Sequence, residues 1–551
     1  MRKSALHFVL LFLLLLGLAW WNQAPPLTFY NSDVGLRFWQ ARELAAQEWG
    51  TFAIRYPAAA VDPNLEFLPL YCAYSLVDGQ LFFNITPFVP YVTSYLYTWL
   101  GTFGLILLPV LGGVLTAFGV YKLARLAQIR YAVWAFWAAM AATPLFFYSL
   151  LLWDHSVAVA CAVWAVYSIV WGVAKQRRSG FLLSGLVLAV GLGQRPEMYL
   201  FAGALGLGFL VIGWPYWRNW LVWGGSVLAV ILLTWWVQWR WFGHPLGMVM
   251  APQLFDYGRP ESYVFLCQRP VSAIRLSRFL LYIGSYDFQS LAAALFVIFG
   301  FFLLIFIFRL PRLQRPVWLG VALGFIFLGY TLWGPLLWRS ALPGLITTFP
   351  LLGFSLLYVE KPKDRMETRP IYRLTLITAF SFLTGMLLLW PAYGGDHWGA
   401  RYLLPVYPLL VFLAFYAFEI WLEDERLRRA VYVAGAALLA ASVIIQLAGV
   451  RHIVVKRQEN VALYKAIDAL PADVIVTNHP FLPTTLISLW EDKTFLYVDS
   501  EEDIAAVIGR LKENGISRFA FISLYDLPLS VPERVDGVTV RQVTPVVYEL
   551  E

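Results

Sequence analysis

Long apolar stretches dominate this chain and decide what it can become. They lie near residues 6–22, 103–123, 132–152, 156–174, 180–194, 198–214, 219–239, 290–308, 317–335, 341–358, 374–391, 403–421 and 430–449. A bilayer needs ~20 apolar residues per helical crossing, so the pattern predicts about thirteen membrane helices. Of the 551 residues 60% are hydrophobic and only 14% charged, a balance that excludes a soluble globular domain of this length. The 25 tryptophans suit aromatic belts at many membrane interfaces. Nothing in this composition suits a nucleic-acid partner.

Basic residues set the expected orientation. Arg2/Lys3, Lys122/Arg125/Arg130, Lys175/Arg177/Arg178, Arg218, Arg309/Arg312/Arg315, Lys361 to Arg373 and Arg426/Arg428/Arg429 all fall on one side. The positive-inside rule makes that side cytoplasmic, with the N-terminus. An odd number of spans then places the C-terminus outside. The first apolar stretch follows Arg2-Lys3 but has no small-x-small cleavage site, so it reads as a retained helix rather than a signal peptide. The three cysteines, Cys72, Cys161 and Cys267, make neither a disulfide framework nor a metal-ligand spacing. Cys72 and Cys267 both fall outside the spans, and whether they pair is left open.

The organisation expected is a membrane domain over 1–450, with a first outer loop over 23–100, and a soluble α/β domain over 451–551. Pro471 to Thr477 reads as a loop entering a buried strand, and Lys493 to Val498 and Ser517 to Ile522 as further strands. Glu501 to Gly515 reads as an amphipathic helix between them. Strands alternating with helices imply a partly parallel sheet. No phosphate-cradling glycine loop occurs there.

On the expected outer face, short turns carry charge that membrane anchoring does not require. Asp33 follows the first span and opens an amphipathic segment over 34–49, expected to lie along the leaflet. In that placement Phe38, Trp39 and Leu44 dip into lipid while Arg37 and Arg42 face headgroups. Asp154-His155 sits between two spans, and Gln194-Arg195-Pro196-Glu197 between two more. Arg339 follows another, and Gly394 to Tyr402 carries His397, Trp398, Arg401 and Tyr402. Taken singly, each reads as a solvated turn, a headgroup anchor or a belt residue. Together they point to one cavity at one membrane face. A transporter would instead place ionisable groups near the midplane beside broken helices, and most spans here have none there. A noncatalytic, glycan-binding scaffold leaves these charges without a role.

The order of these elements resembles the GT-C superfamily of membrane glycosyltransferases, which includes protein O-mannosyltransferases and the aminoarabinose transferases of lipid A. The resemblance covers most of the chain. Its carriers are Ser32-Asp33, Thr143 to Ser149 continuing to Asp154-His155, Arg195-Pro196-Glu197, and Trp398-Gly399-Ala400-Arg401-Tyr402-Leu403-Leu404-Pro405. It implies a polytopic helical fold with a C-terminal extracytoplasmic α/β domain, in a prokaryotic plasma membrane. It further implies transfer of a sugar from a polyprenyl-phosphate donor to an extracytoplasmic glycan, lipid or protein acceptor.

Asp33 matches the superfamily's catalytic acid position and becomes the expected base. Asp154 and His155 would complete the catalytic set. Arg195, Arg401 and then Arg339 are expected to hold the donor phosphate, because the guanidinium fork bonds phosphate bidentately. Glu197, His397, Trp398 and Tyr402 are further candidates for substrate contact. Many relatives carry paired acids after the first span, whereas Val34 follows Asp33 here. No cofactor is implied with certainty, and a divalent ion held with substrate phosphate is left open. The alternative kept is a transporter or flippase of lipid-linked sugars.

Overall fold

The computed structural model describes residues 2–23, 25–70, 73–213, 217–258, 288–307, 310, 315–333, 344–357, 369–390, 398–523 and 529–551. Arg339, His397, Cys72, Cys267 and the loop charges from Arg259 to Asp287 lie outside the described residues. Helices dominate. Among the described residues eight are long and apolar enough to cross a membrane, and four shorter apolar helices accompany them. The chain is a multi-pass membrane protein. It divides into two compact units, one of residues 1–19, 106–234 and 269–452, the other of residues 20–105, 235–268 and 453–551.

The helices Thr102–Leu126, His155–Lys175, Arg178–Gln194, Glu197–Gly213, Phe288–Ile307, Arg315–Trp333, Arg369–Leu389 and Tyr407–Trp421 run through the first unit. Pro109 interrupts the hydrogen-bond ladder of the first of these. The Ser156 hydroxyl donates to the Pro109 carbonyl at 2.9 Å, tying this helix to His155–Lys175. Likewise Ser184 donates to the Ala165 carbonyl at 2.8 Å, tying Arg178–Gln194 to His155–Lys175.

Two expected spans are broken. The stretch 132–152 forms the helix Ala132–Ala141 and then only a short turn, Leu145–Tyr148. Pro144 has no N–H to donate and pushes the residue before it out of the helical region. The freed Thr143 hydroxyl caps the Ala139 carbonyl at 2.7 Å. The stretch 341–358 holds two four-residue helices, Leu345–Thr348 and Leu352–Ser355, on either side of Pro350. Continuous apolar character hides such breaks, because hydropathy does not register a missing backbone donor.

In the second unit, Asn31 caps the helix Ser32–Ala46, its side chain accepting from the Val34 N–H at 3.2 Å. This helix does not lie along lipid as expected. Phe38, Trp39 and Leu44 are buried within the unit, against the helix Phe88–Leu100 and the segment 482–491. Phe38 stacks on Phe29, and Trp39 meets Trp490 edge-on. The charges of this helix find protein partners as well. Arg37 donates to the Asp33 carbonyl at 2.8 Å, Arg42 pairs with Glu491 at 2.7 Å, and buried Glu43 takes a two-pronged bond from Arg55. These internal partners let a helix with charge on several faces be buried all round. Gly35 permits the closest approach, since a Cβ there would meet the Thr484 carbonyl oxygen at 2.0 Å.

The same unit holds a hairpin and a sheet. Strands β1 (Tyr74–Val77) and β2 (Gln80–Phe83) are joined by Asp78-Gly79, both with positive φ, as a tight two-residue turn of this kind requires. The sheet contains β3 (Val474–Thr477), β4 (Thr494–Tyr497), β5 (Arg518–Ile522), β6 (Arg534–Val535), β7 (Val538–Gln542) and β8 (Val547–Leu550), in the order β4-β3-β5-β8-β7-β6. The first three are parallel and the rest antiparallel. The helix Glu501–Glu513 buries Ile504, Val507, Ile508 and Leu511 against this sheet, with Ser500 capping its start. A partly parallel α/β sheet is thus present between Val474 and Leu550.

Candidate functional site

Three turns of the first unit meet at one buried cluster. Asp154 immediately precedes the helix that begins at His155, and Arg195 lies between the end of one helix at Gln194 and the start of another at Glu197. Arg401 opens a short 3-10 segment, Arg401–Val406, that leads into Tyr407–Trp421. That segment is placed by Gly399, whose φ of +73° suits glycine and whose missing side chain leaves room for the Pro144 ring. A Cβ there would meet Pro144 Cγ at 2.4 Å. The break at Pro144 therefore serves the site, because the segment carrying Arg401 seats on it.

Within the cluster Arg195 donates from Nε to Glu197 Oε1 at 2.9 Å and from Nη1 to Asp154 Oδ1 at 3.3 Å. All three residues are buried. Buried ions of this kind persist only when paired, since desolvation outweighs any single contact. The Arg195 guanidinium lies 5.5 Å from the Tyr402 ring centroid. Arg401, half-buried, has its guanidinium 5.0 Å from the same ring and 5.8 Å from that of Trp153. Its Nη2 donates to the Tyr402 hydroxyl at 3.3 Å. His155 packs edge-on between Tyr148 and Trp153, at 4.8 and 5.2 Å. Trp398 is fully buried beside Gly449, a position where a Cβ would fall 2.6 Å from the indole nitrogen.

Of the candidates named from sequence, the structure brings together Asp154, His155, Arg195, Glu197, Arg401 and Tyr402, with Trp398 in the same connecting segment. Asp33 belongs to the second unit, half-buried in the first turn of Ser32–Ala46, where the helix dipole favours a negative side chain. Sequence reasoning passed over Trp153, which underlies Arg401 and contacts His155. Its signal was weak, because one aromatic before Asp154 looks like any belt residue. Among the described residues no three His, Cys, Asp or Glu are grouped as metal ligands.

The chain is thus a membrane protein of many spans, with a buried charged cluster formed by inter-helix turns in one unit and a partly parallel sheet in the other. Two solved structures share that fold along the full chain. One is ArnT from Cupriavidus metallidurans bound to undecaprenyl phosphate, at 14% identity and TM-score 0.50, covering 100% of this chain and 98% of that one. The other is the same ArnT in the apo state, at 13% identity and TM-score 0.51, covering 99% and 98%. The oligosaccharyltransferase of Archaeoglobus fulgidus, in complex with Zn and sulfate, aligns at 13% identity and TM-score 0.48 over 94% of this chain and 67% of that one. No family model and no curated protein sequence matches the chain. The chain has the GT-C fold.

Proposed function

We propose that this protein is a membrane glycosyltransferase that moves a sugar from a polyprenyl-phosphate donor to an acceptor on the extracytoplasmic side. The observation that carries this reading is the convergence of Asp154, Arg195, Glu197 and Arg401 from three separate turns into one cluster flanked by aromatic rings. The fold supports it, as does the binding of undecaprenyl phosphate by ArnT, a protein of the same fold. The positive-inside pattern supports placing this face outside the cytoplasm.

In this reading an acceptor hydroxyl oxygen attacks the anomeric carbon as the bond from that carbon to the phosphate oxygen breaks. Polyprenyl phosphate leaves with the electron pair, the acceptor proton passes to the Asp33 carboxylate, and the anomeric configuration inverts. Arg401 is assigned to the leaving phosphate, where a guanidinium stabilises the charge that grows as the bond breaks. Arg195 has Nε and one Nη1 proton engaged by carboxylates, so it contributes to the phosphate only through its remaining N–H groups. Asp154 and His155 fix Arg195 and the aromatic wall, and the acceptor is a glycan, lipid or protein.

The test uses purified protein in lipid with radiolabelled polyprenyl-phosphate sugars and envelope extract as acceptor. Wild type is expected to release polyprenyl phosphate from at least one donor, and Asp33→Asn from none while remaining folded. Turnover retained in Asp33→Asn removes the base. Absence of release from every donor favours transport of lipid-linked sugars instead.

A further inference from the structure

Two acceptors in the cluster stand apart from the rest. Glu197 Oε2 and Gln194 Oε1 have no hydrogen-bond partner among the described residues. Yet the two residues are only 1% and 7% exposed. The other carboxylate oxygen of Glu197 accepts from Arg195 Nε, so only one of its two oxygens is bonded among the described residues. Buried polar atoms in folded proteins are nearly always bonded, and one left alone loses its hydration without return. Two such atoms, on residues flanking Arg195 in one turn, form a place built for hydrogen-bond donors.

The chemistry narrows what donates. A lipid-linked sugar has three parts: a hydrocarbon tail, a phosphate and a sugar. The tail offers no donor and would leave both oxygens unsatisfied. An ionised phosphate diester is an acceptor and would be repelled by a carboxylate oxygen. Only the sugar carries hydroxyl donors. Distance agrees, because the guanidiniums of Arg195 and Arg401 lie 5.5 and 5.0 Å from the same Tyr402 ring. A phosphate at Arg401 therefore leaves the sugar within reach of the groups around Arg195.

We infer that Gln194 and Glu197 form a hydroxyl-recognising subsite for the donor's sugar and so select which sugar is bound. The inference rests on the transferase reading above. A site that hydrogen-bonds a substrate hydroxyl rejects an analogue lacking it, because its own buried groups are then unpaired.

The test compares binding of bare undecaprenyl phosphate with a panel of undecaprenyl-phosphate sugars, by wild type, Gln194→Leu and Glu197→Gln in nanodiscs, without acceptor. Wild type is expected to prefer one sugar-bearing lipid over the bare one. Gln194→Leu is expected to lose about tenfold for that lipid, the worth of one good hydrogen bond, while its affinity for undecaprenyl phosphate stays unchanged. Among the described residues Gln194 Oε1 has no hydrogen-bond partner, so this variant should keep its thermal stability. Glu197→Gln, which also weakens the Arg195 pair, serves as the second variant and should shift the ranking of sugars. Equal loss for both lipids, or no loss in either variant, overturns the subsite. Failure of wild type to bind any of these lipids overturns the transferase reading and the subsite with it.

Discussion

Arg195 donates from Nη1 to Oδ1 of Asp154 across 3.3 Å, joining two turns that lie 41 residues apart in sequence. With Glu197 on its other side, Arg195 holds two buried carboxylates, and so ties the start of His155–Lys175 to the turn between the next two helices. Its first effect is therefore on the fold of this membrane end, and only through that on substrate.

Arg195→Met should destabilise the protein by about 3–5 kcal/mol, the usual result of stripping a partner from a buried ion. Adding Asp154→Asn and Glu197→Gln to it should recover most of the loss, because uncharged amides no longer need the cation. Thermal unfolding in lipid or detergent checks both. Recovery absent from the triple variant would mean that Arg195 acts through packing.

Arg401→Ala should weaken polyprenyl phosphate binding about 10- to 100-fold with little change in thermal stability, as expected for a half-buried group that bonds a charged ligand. Arg401→Lys should recover part of the affinity, since an ammonium keeps the charge but not the planar fork. Titration with undecaprenyl phosphate measures this. Affinity equal to wild type in the alanine variant would remove Arg401 from the phosphate.

Gly35→Ala should cost about 1–3 kcal/mol of stability, because its Cβ would fall 2.0 Å from the rigid Thr484 carbonyl oxygen. Limited proteolysis of the second unit should report the loss. Ala41→Gly in the same helix, with no such contact to relieve, serves as the comparison.

The α/β region should lose stability in acid through His479. Burial holds this imidazole below its ordinary value, and its Nδ1 accepts the Phe481 N–H at 3.2 Å. A folded-state value below the unfolded one means that the unfolded chain binds more protons, so stability rises with pH in that window. His479 thus contributes fully above the ordinary value of 6.5, and its contribution falls away as pH drops through 6.5 toward the folded value. Unfolding temperature should decline from pH 7.5 to pH 5 in wild type and decline less in His479→Asn.

Much of this architecture is legible in the sequence. Hydropathy located most helices, and alternation of strands and an amphipathic helix located the C-terminal sheet. What escaped was decided by single atoms or by distant partners. Pro144 and Pro350 ended helices inside runs whose hydropathy never fell. The burial of Phe38, Trp39 and Leu44 escaped because an amphipathic helix reads alike whether its apolar face meets lipid or protein. Only the contacts with Trp490, Glu491 and Thr484, more than 400 residues on in sequence, distinguish the two. Within the site, charge in short turns marked Asp154, Arg195 and Arg401, but spacing along the chain gave no hint that Arg195 would be claimed by two acids.

The most direct measurement of the central claim is release of polyprenyl phosphate from radiolabelled polyprenyl-phosphate sugars by wild type, Asp33→Asn and Arg401→Ala in lipid. Release by wild type, none by Asp33→Asn and strongly reduced release by Arg401→Ala is the expected result. Equal release by all three, or protein-dependent movement of intact donor across the bilayer without release by any, would contradict it.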